Sequence, residues 1–349
     1  MSAALGAPWV EKYRPESFDD IISHEDIMST LMIFTEKGQL PHLLFHGPPG
    51  TGKTSTIMAV SRYLYGSHRN SYVMELNASD ERGIDTVREQ IKTFAETSNT
   101  FSSGVVGGES GLRTTLKLII LDEADQMTNA AQNSLRRIME IYSANVRFCL
   151  ICNFMNRIIP PIQSRCTGFR FPPLKAEVVK RRTAEIAAME GLQLSDCALD
   201  TLAEVGQGDM RRVLNCLQVT AMSLGSRPGT KIDSDAVLAT AGLPKPSEIS
   251  DLLQRLMQEP FKACVEHVAA LHQVQGYSVE DLVTALYRAV LRIDWPNVVI
   301  VQLMIRLADI EQCLSAGASP YIQIATLVSA FTETRFEIER LKFDLHFKQ

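Results

Sequence analysis

No uninterrupted apolar run approaches the roughly 20 residues that a membrane-crossing helix requires, so an integral membrane protein is not expected. The start, MSAALGAPWVEKYRP, lacks a basic stretch followed by an apolar core, so a secretory leader is not expected either. Cysteine is sparse. Seven thiols, an odd number, are scattered over 349 residues, which suits a reducing compartment rather than a disulfide framework. Neither charge dominates, since 35 Lys and Arg face 40 Asp and Glu for a net charge of −5. Bulk charge therefore does not announce nucleic-acid binding, and any such contact has to come from local patches or from assembly. Internal repeats and low-complexity tails are absent. What is there is ordinary: 45% apolar and 21% charged residues exclude a collagen-like or largely disordered chain. Single cores stop growing at about 250–300 residues, so this length predicts two domains or three small ones.

The first half alternates short apolar runs with helical periodicity. Strands are expected at 42–45, 72–76, 116–121, 146–152 and 168–171, with helices opening at Lys53 and covering 84–95 and 129–142. Such alternation predicts α/β architecture with a parallel sheet and helices on both faces. Residues 98–115, rich in Gly, Ser and Thr, read as a loop or insertion. Beyond Pro173 strand signals vanish. Short amphipathic helices are expected at 176–191, 195–206, 209–224 and 234–242, and longer helical stripes follow the linker Leu243-Pro244-Lys245-Pro246. The expected domains are 1–172, 173–242 and 243–349. Charges do not segregate among them, so the last is a better candidate for protein contacts than for nucleic acid.

Gly47-Pro48-Pro49-Gly50-Thr51-Gly52-Lys53-Thr54 is a complete G-x-x-x-x-G-K-[ST] loop between an expected strand and an expected helix. Its glycines let backbone N–H groups turn inward around phosphates, and the helix N-terminus adds its dipole. Lys53 is placed for the β- and γ-phosphates, and Thr54 for Mg²⁺. The run Leu118–Asp125 delivers Asp122 and Glu123 at a strand end. Asp122 would hold Mg²⁺, directly or through water, and Glu123 would polarise an attacking water. Asp125 stands as a further site carboxylate or a helix cap. Asn153 closes its strand and is not assigned from local sequence. Arg165 lies in a polar break before the last strand, where a surface charge is equally ordinary. Arg211 and Arg212 sit at a helix start, against the macrodipole, which suggests an anion nearby.

Cys149 and Cys152 form a C-x-x-C pair. Positions i and i+3 of a strand face opposite ways, and no second pair completes a zinc site, so both are expected in the core. No structural metal is expected.

These features together resemble the AAA+ ATPases, and more narrowly the small subunits of replication factor C, the sliding-clamp loader. The resemblance is carried by Trp9-Val10-Glu11-Lys12-Tyr13-Arg14-Pro15, the phosphate loop continuing into Ser55 and Thr56, Asn77-Ala78-Ser79-Asp80, Asp122-Glu123-Ala124-Asp125, Ser164-Arg165-Cys166 and Gly208-Asp209-Met210-Arg211-Arg212. It implies an AAA+ module with a five-stranded parallel sheet, a small helical lid and a C-terminal helical collar. It implies an ATP site made by Val10, Arg14, Ile22, Gly47, Pro48, Pro49, Gly50, Thr51, Gly52, Lys53, Thr54, Ser55, Asn153 and Arg211. Asn153 and Arg211 would be the two sensors, and Arg165 an arginine finger acting on ATP held by the neighbouring subunit. Arg82 and Arg88 are the DNA-contact candidates, with Arg137 less favoured. Implied partners are the other subunits of a hetero-pentamer, with alternative large subunits possible, the sliding clamp PCNA, and primer–template DNA recognised without regard to sequence. The implied compartment is the nucleus. The segments 147–153 and 41–44 look most like the subunit at the middle of the five-subunit arc. The 98–115 insertion departs from the family, where this connection is shorter.

Overall fold

Five short strands, β1 (Leu43–His46), β2 (Val73–Asn77), β3 (Lys117–Asp122), β4 (Val146–Cys152) and β5 (Thr167–Arg170), form one parallel sheet in the order β2-β3-β4-β1-β5. Side chains along a strand alternate between faces. Leu43, Phe45, Leu118, Ile120, Cys149 and Ile151 therefore enter one core, against Leu31 and the helix Lys53–Tyr65. Leu44, Ile119, Leu121, Phe148, Leu150 and Cys152 enter the other, with Ile91 and Leu135 from the helices Ile84–Glu96 and Asn129–Ile141. Each such side chain contributes roughly 1.5–3 kcal/mol on burial. A one-residue slip would exchange the contents of the two cores, so both faces hold the register. Cys149 and Cys152 pack into opposite cores, as their spacing predicts.

The computed structural model describes residues 7–18, 20–21, 24–78, 84–96, 114, 116–225 and 231–340, without the side chains of 84–88. Ile22, Arg82, the Arg88 side chain and all of 98–115 except Thr114 lie outside the described residues. The chain forms two units, 1–231 and 232–349.

In the first unit the sheet is followed by the helices Ala176–Met189, Asp196–Gly206 and Met210–Ser223, joined through Val179, Ile186, Leu202, Val213 and Leu217, all nearly inaccessible. Ser195 caps the second, accepting from the Ala198 N–H at 3.2 Å, and Asp209 caps the third. Strands do not vanish entirely here, because Gln193–Leu194 and Lys231–Ile232 are two-residue strands, too short to leave a periodic signal.

Beyond Ile232, the elements described in the second unit are helices: Ser234–Ala241, Pro246–Gln258, Phe261–Val274, Val279–Val290, Asn297–Ser315 and Pro320–Arg340. Leu252, Val268, Leu282, Leu303, Leu327 and Phe331 share its core. The helix Asn297–Ser315 leaves Val298, Val301 and Ile305 more than half exposed. Among the described residues, no helix is long and apolar enough to cross a membrane.

Candidate active site

The strand order decides which residues meet. β4 lies between β1 and β3, so the residue that follows β4 sits between the phosphate loop after β1 and the carboxylates at the end of β3. That residue is Asn153. Its Oδ1 accepts a hydrogen bond from Lys53 Nζ at 3.1 Å, while Thr54 Oγ1 donates to Asp122 Oδ2 at 2.8 Å. Three strand ends thus converge, although Lys53 and Asn153 are 100 residues apart in sequence.

The loop owes its path to glycine. Gly47, Gly50 and Gly52 have φ of 144°, 68° and 93°, values that L side chains rarely adopt. A Cβ on Gly47 would lie 2.1 Å from the Phe171 carbonyl oxygen. Lys53 is 7% exposed, and its ammonium also donates to the Gly47 and Pro48 carbonyls at 2.7 and 2.8 Å. Burial pushes the Lys53 pKa below its ordinary value, and the charge of Asp122 works in the other direction. The result is a cation in a polar cradle at a helix N-terminus, which suits a phosphate chain.

Asp122 is half-buried and Glu123 exposed. The Glu123 N–H donates to Asp122 Oδ1 at 2.9 Å. Glu123 adopts φ 54°, a left-handed conformation that costs a residue with a side chain about 1–3 kcal/mol. Asp125 is not a helix cap. It lies within the short turn Ala124–Gln126, and its Oδ2 accepts from the Asn153 and Phe154 N–H groups at 3.3 and 3.2 Å. It anchors the backbone that presents Asn153.

Above the loop, a cleft of about 290 Å³ is lined by Pro49 through Ser55, Asp122, Glu123 and Asn153. Val10 and Arg14 of the N-terminal segment and Arg211 of the helix Met210–Ser223 line it too. Sequence reasoning missed Arg182, which enters from the helix Ala176–Met189 beside Val178 and Ile186. The spacing 178, 182, 186 is one helical face, the only signal that could have found it.

Met210 N–H donates to the Gly50 carbonyl at 3.3 Å, and Asp209 Oδ1 accepts from the Arg211 and Arg212 N–H groups at 2.8 and 3.4 Å. Asp209 thus caps the helix through these backbone N–H groups, not through the two guanidiniums. A Cβ on Gly50 would fall 1.6 Å from Asp209 Oδ1. Gly50→Ala is therefore expected to separate the helix from the loop and weaken nucleoside triphosphate binding about tenfold, the effect of roughly 1.4 kcal/mol. Titration with a fluorescent triphosphate checks this, and affinity within twofold of the parent would refute it.

Arg165 lies elsewhere. It precedes β5, whose Thr167 N–H bonds to the His42 carbonyl at the sheet edge where strands begin, whereas the loop follows β1 at the edge where they end. At about 3.3 Å per residue the two are separated by roughly 15–20 Å. Arg165 pairs with Glu140 Oε1 at 2.6 Å and donates to the Pro161 carbonyl at 2.7 Å.

Residues 43–174 match the family model described as ATPase family associated with various cellular activities (AAA), and residues 244–330 match Replication factor C C-terminal domain. A probable replication factor C subunit 5 from Dictyostelium discoideum is 44% identical over 94% of this chain and 91% of its own length. Replication factor C subunit 5 of Homo sapiens is 43% identical over 94% and 92%, and subunit 3 of Saccharomyces cerevisiae 42% over 96% and 95%. Among solved structures, a Thermotoga maritima RuvB aligns with TM-score 0.51 at 16% identity, covering 78% of this chain and 90% of that one. That likeness concerns the fold.

Proposed function

The chain belongs to the replication factor C family and carries its P-loop ATPase module, and on that premise we propose that it is an ATP-hydrolysing subunit of a nuclear clamp loader. It would help open PCNA and place it at primer–template junctions for replication and repair, and hydrolysis would release the closed clamp on DNA. The observation that carries this is the meeting of Lys53 with Asn153 and of Thr54 with Asp122 at one cleft mouth. It supplies a phosphate-binding cation, an oxygen pair and a water-orienting amide together.

The paired hydroxyl and carboxylate fit Mg²⁺, a hard cation that prefers oxygen. Thr54 and Asp122 would hold it, and when bound it would neutralise charge on the β- and γ-phosphates. Lys53 would move from the loop carbonyls to those phosphates. Val10 and Arg14 would line the adenine end, Arg211 would reach in from the lid, and Glu123 with Asn153 would orient the water. Arg165 would serve the neighbouring chain's ATP. We assign 1–172 to the ATPase module, 173–242 to the lid and 243–349 to the collar. The exposed Val298, Val301 and Ile305 support the last as an assembly surface, and the middle of the arc is the place the sequence fits best.

ATP hydrolysis by the assembled complex tests the reading. PCNA and primed DNA together are expected to stimulate it strongly, about tenfold or more. Indifference to the clamp, with stimulation by unfolded protein or long single strands instead, would favour another AAA+ machine. Binding without hydrolysis would favour a nucleotide-stabilised scaffold.

A further inference from the structure

The N-terminal segment that lines the cleft has little fold of its own. Its helix is the four-residue turn Trp9–Lys12, with no buried residue. Its position is set by contacts at both ends. Towards the sheet, Arg62 Nη1 donates to the Glu16 carbonyl at 2.9 Å, and Phe18 meets Tyr63 edge-on at 5.4 Å between centroids. Both partners belong to the helix Lys53–Tyr65 that the phosphate loop opens. Towards the lid, Trp9 N–H donates to Gln218 Oε1 at 3.0 Å. Lys12 Nζ and Tyr13 Oη both donate to Glu190 Oε1, at 2.6 and 2.5 Å.

Glu190 ends the helix Ala176–Met189, the same helix that sends Val178, Arg182 and Ile186 into the cleft. Its side chain is 19% exposed and more than 170 residues from its two donors. The segment therefore bridges the two halves of the ATPase unit, and Val10, Tyr13 and Arg14 line the cleft from that bridge.

We propose that Glu190 is a positioning residue for the nucleotide, fastening the 9–16 strap to the lid so that strap and lid close over the cleft as one piece and set the rate at which ATP leaves. This rests on the ATP-site reading above. Two charge-assisted hydrogen bonds on one carboxylate oxygen make a strong, directional link. Burial works against the Glu190 charge, but the bonds from Lys12 and Tyr13 outweigh it and hold the carboxyl below its ordinary value. Burial and Glu190 together push the Tyr13 hydroxyl up, so it remains a donor at neutral pH. Neither Glu190 nor Lys12 needs to touch ATP. Their effect passes through Val10, Tyr13 and Arg14.

The test is release of a fluorescent ATP analogue, followed by stopped flow. The full chain is assembled with its partner subunits, whose own phosphate-loop lysines are replaced by alanine. Glu190→Ala is expected to speed release about tenfold, the scale of losing a charge-assisted pair, raising KM in proportion while kcat changes less than threefold. Glu190→Gln keeps an acceptor oxygen and is expected to recover most of the effect. Tyr13→Phe, the conservative variant that preserves packing, is expected to speed release several-fold. The Glu190→Ala/Tyr13→Phe double variant should be no faster than Glu190→Ala alone, because both remove one link. If Glu190→Ala fails to fold, Tyr13→Phe alone decides. Release within twofold of the parent in whichever variants fold, with binding still abolished by Lys53→Ala, overturns the fastening role and leaves the ATP site standing. Failure of the unmodified chain to bind the analogue overturns both.

Discussion

Glu123→Gln is expected to leave ATP bound and to slow its hydrolysis at this site by about 10²–10⁴-fold, the usual contribution of a positioned general base. The substitution keeps the shape of the side chain and removes its charge. It also leaves alone what holds the backbone in its left-handed turn, the Glu123 N–H bond to Asp122 Oδ1. Binding is expected to rest on other groups, chiefly the Lys53 ammonium in its cradle of Gly47, Pro48 and Asn153 oxygens. Lys53→Ala should accordingly lose binding and hydrolysis together, whereas Glu123→Gln separates them. Single-turnover hydrolysis beside equilibrium ATP binding, in a complex whose other sites are disabled, measures both. Hydrolysis above a tenth of the parent rate would mean that another carboxylate activates the water. Asp125 is poorly placed for that task, since one of its oxygens already serves the Asn153 and Phe154 backbone.

The second large effect is displaced in space. Arg165→Ala should leave this chain's own site intact and cost the adjoining subunit's site about 10³-fold or more, the scale reported for an arginine supplied in trans. The reason is the sheet. Arg165 precedes a strand that the phosphate loop's neighbour Phe171 follows, and the Phe171 N–H bonds to the His46 carbonyl at the far end. No rotamer spans a separation of roughly 15–20 Å. Mixing decides the matter. A complex carrying Arg165→Ala should show hydrolysis lost at the neighbour and retained here, and the reverse pattern would return Arg165 to its own site. The Glu140 pair adds a detail to that experiment. Partly exposed and solvent-screened, it is worth at most about 1 kcal/mol, so it parks the guanidinium without trapping it.

The alternation of strands and helices was legible chiefly because the central strands β3, β4 and β1 are largely apolar on both faces. Runs such as 118–121 have no polar residue to confuse a buried strand with a half-exposed one. The phosphate loop and the Asp122-Glu123 pair were legible because their chemistry needs fixed residues at fixed spacing. The roles of Val10, Arg14 and Arg211 were reachable only through resemblance. Each lines the cleft, but the strap is too short for a period, and Arg211 offered locally only the suggestion of an anion near a helix start. Glu190, and the role though not the presence of Asp125, lay beyond both routes. Their partners are distant in sequence or are backbone N–H groups, and a carboxylate's hydrogen bonds across space leave no trace in its neighbours along the chain. Asp125 illustrates this, since it sits where a cap is plausible and works instead on another strand's end.

A parallel sheet gives the module a front and a back. If the finger sits where strands begin and the nucleotide where they end, each chain is a donor on one side and an acceptor on the other. Head-to-tail, heterologous contacts then complete one site per interface, and such contacts either close into a ring or leave unequal ends. In an open row of n chains there are n − 1 whole sites, one terminal finger with nothing to act on and one terminal nucleotide with no finger. The order of the subunits along the row, not only their number, then determines which ATP molecules are hydrolysed.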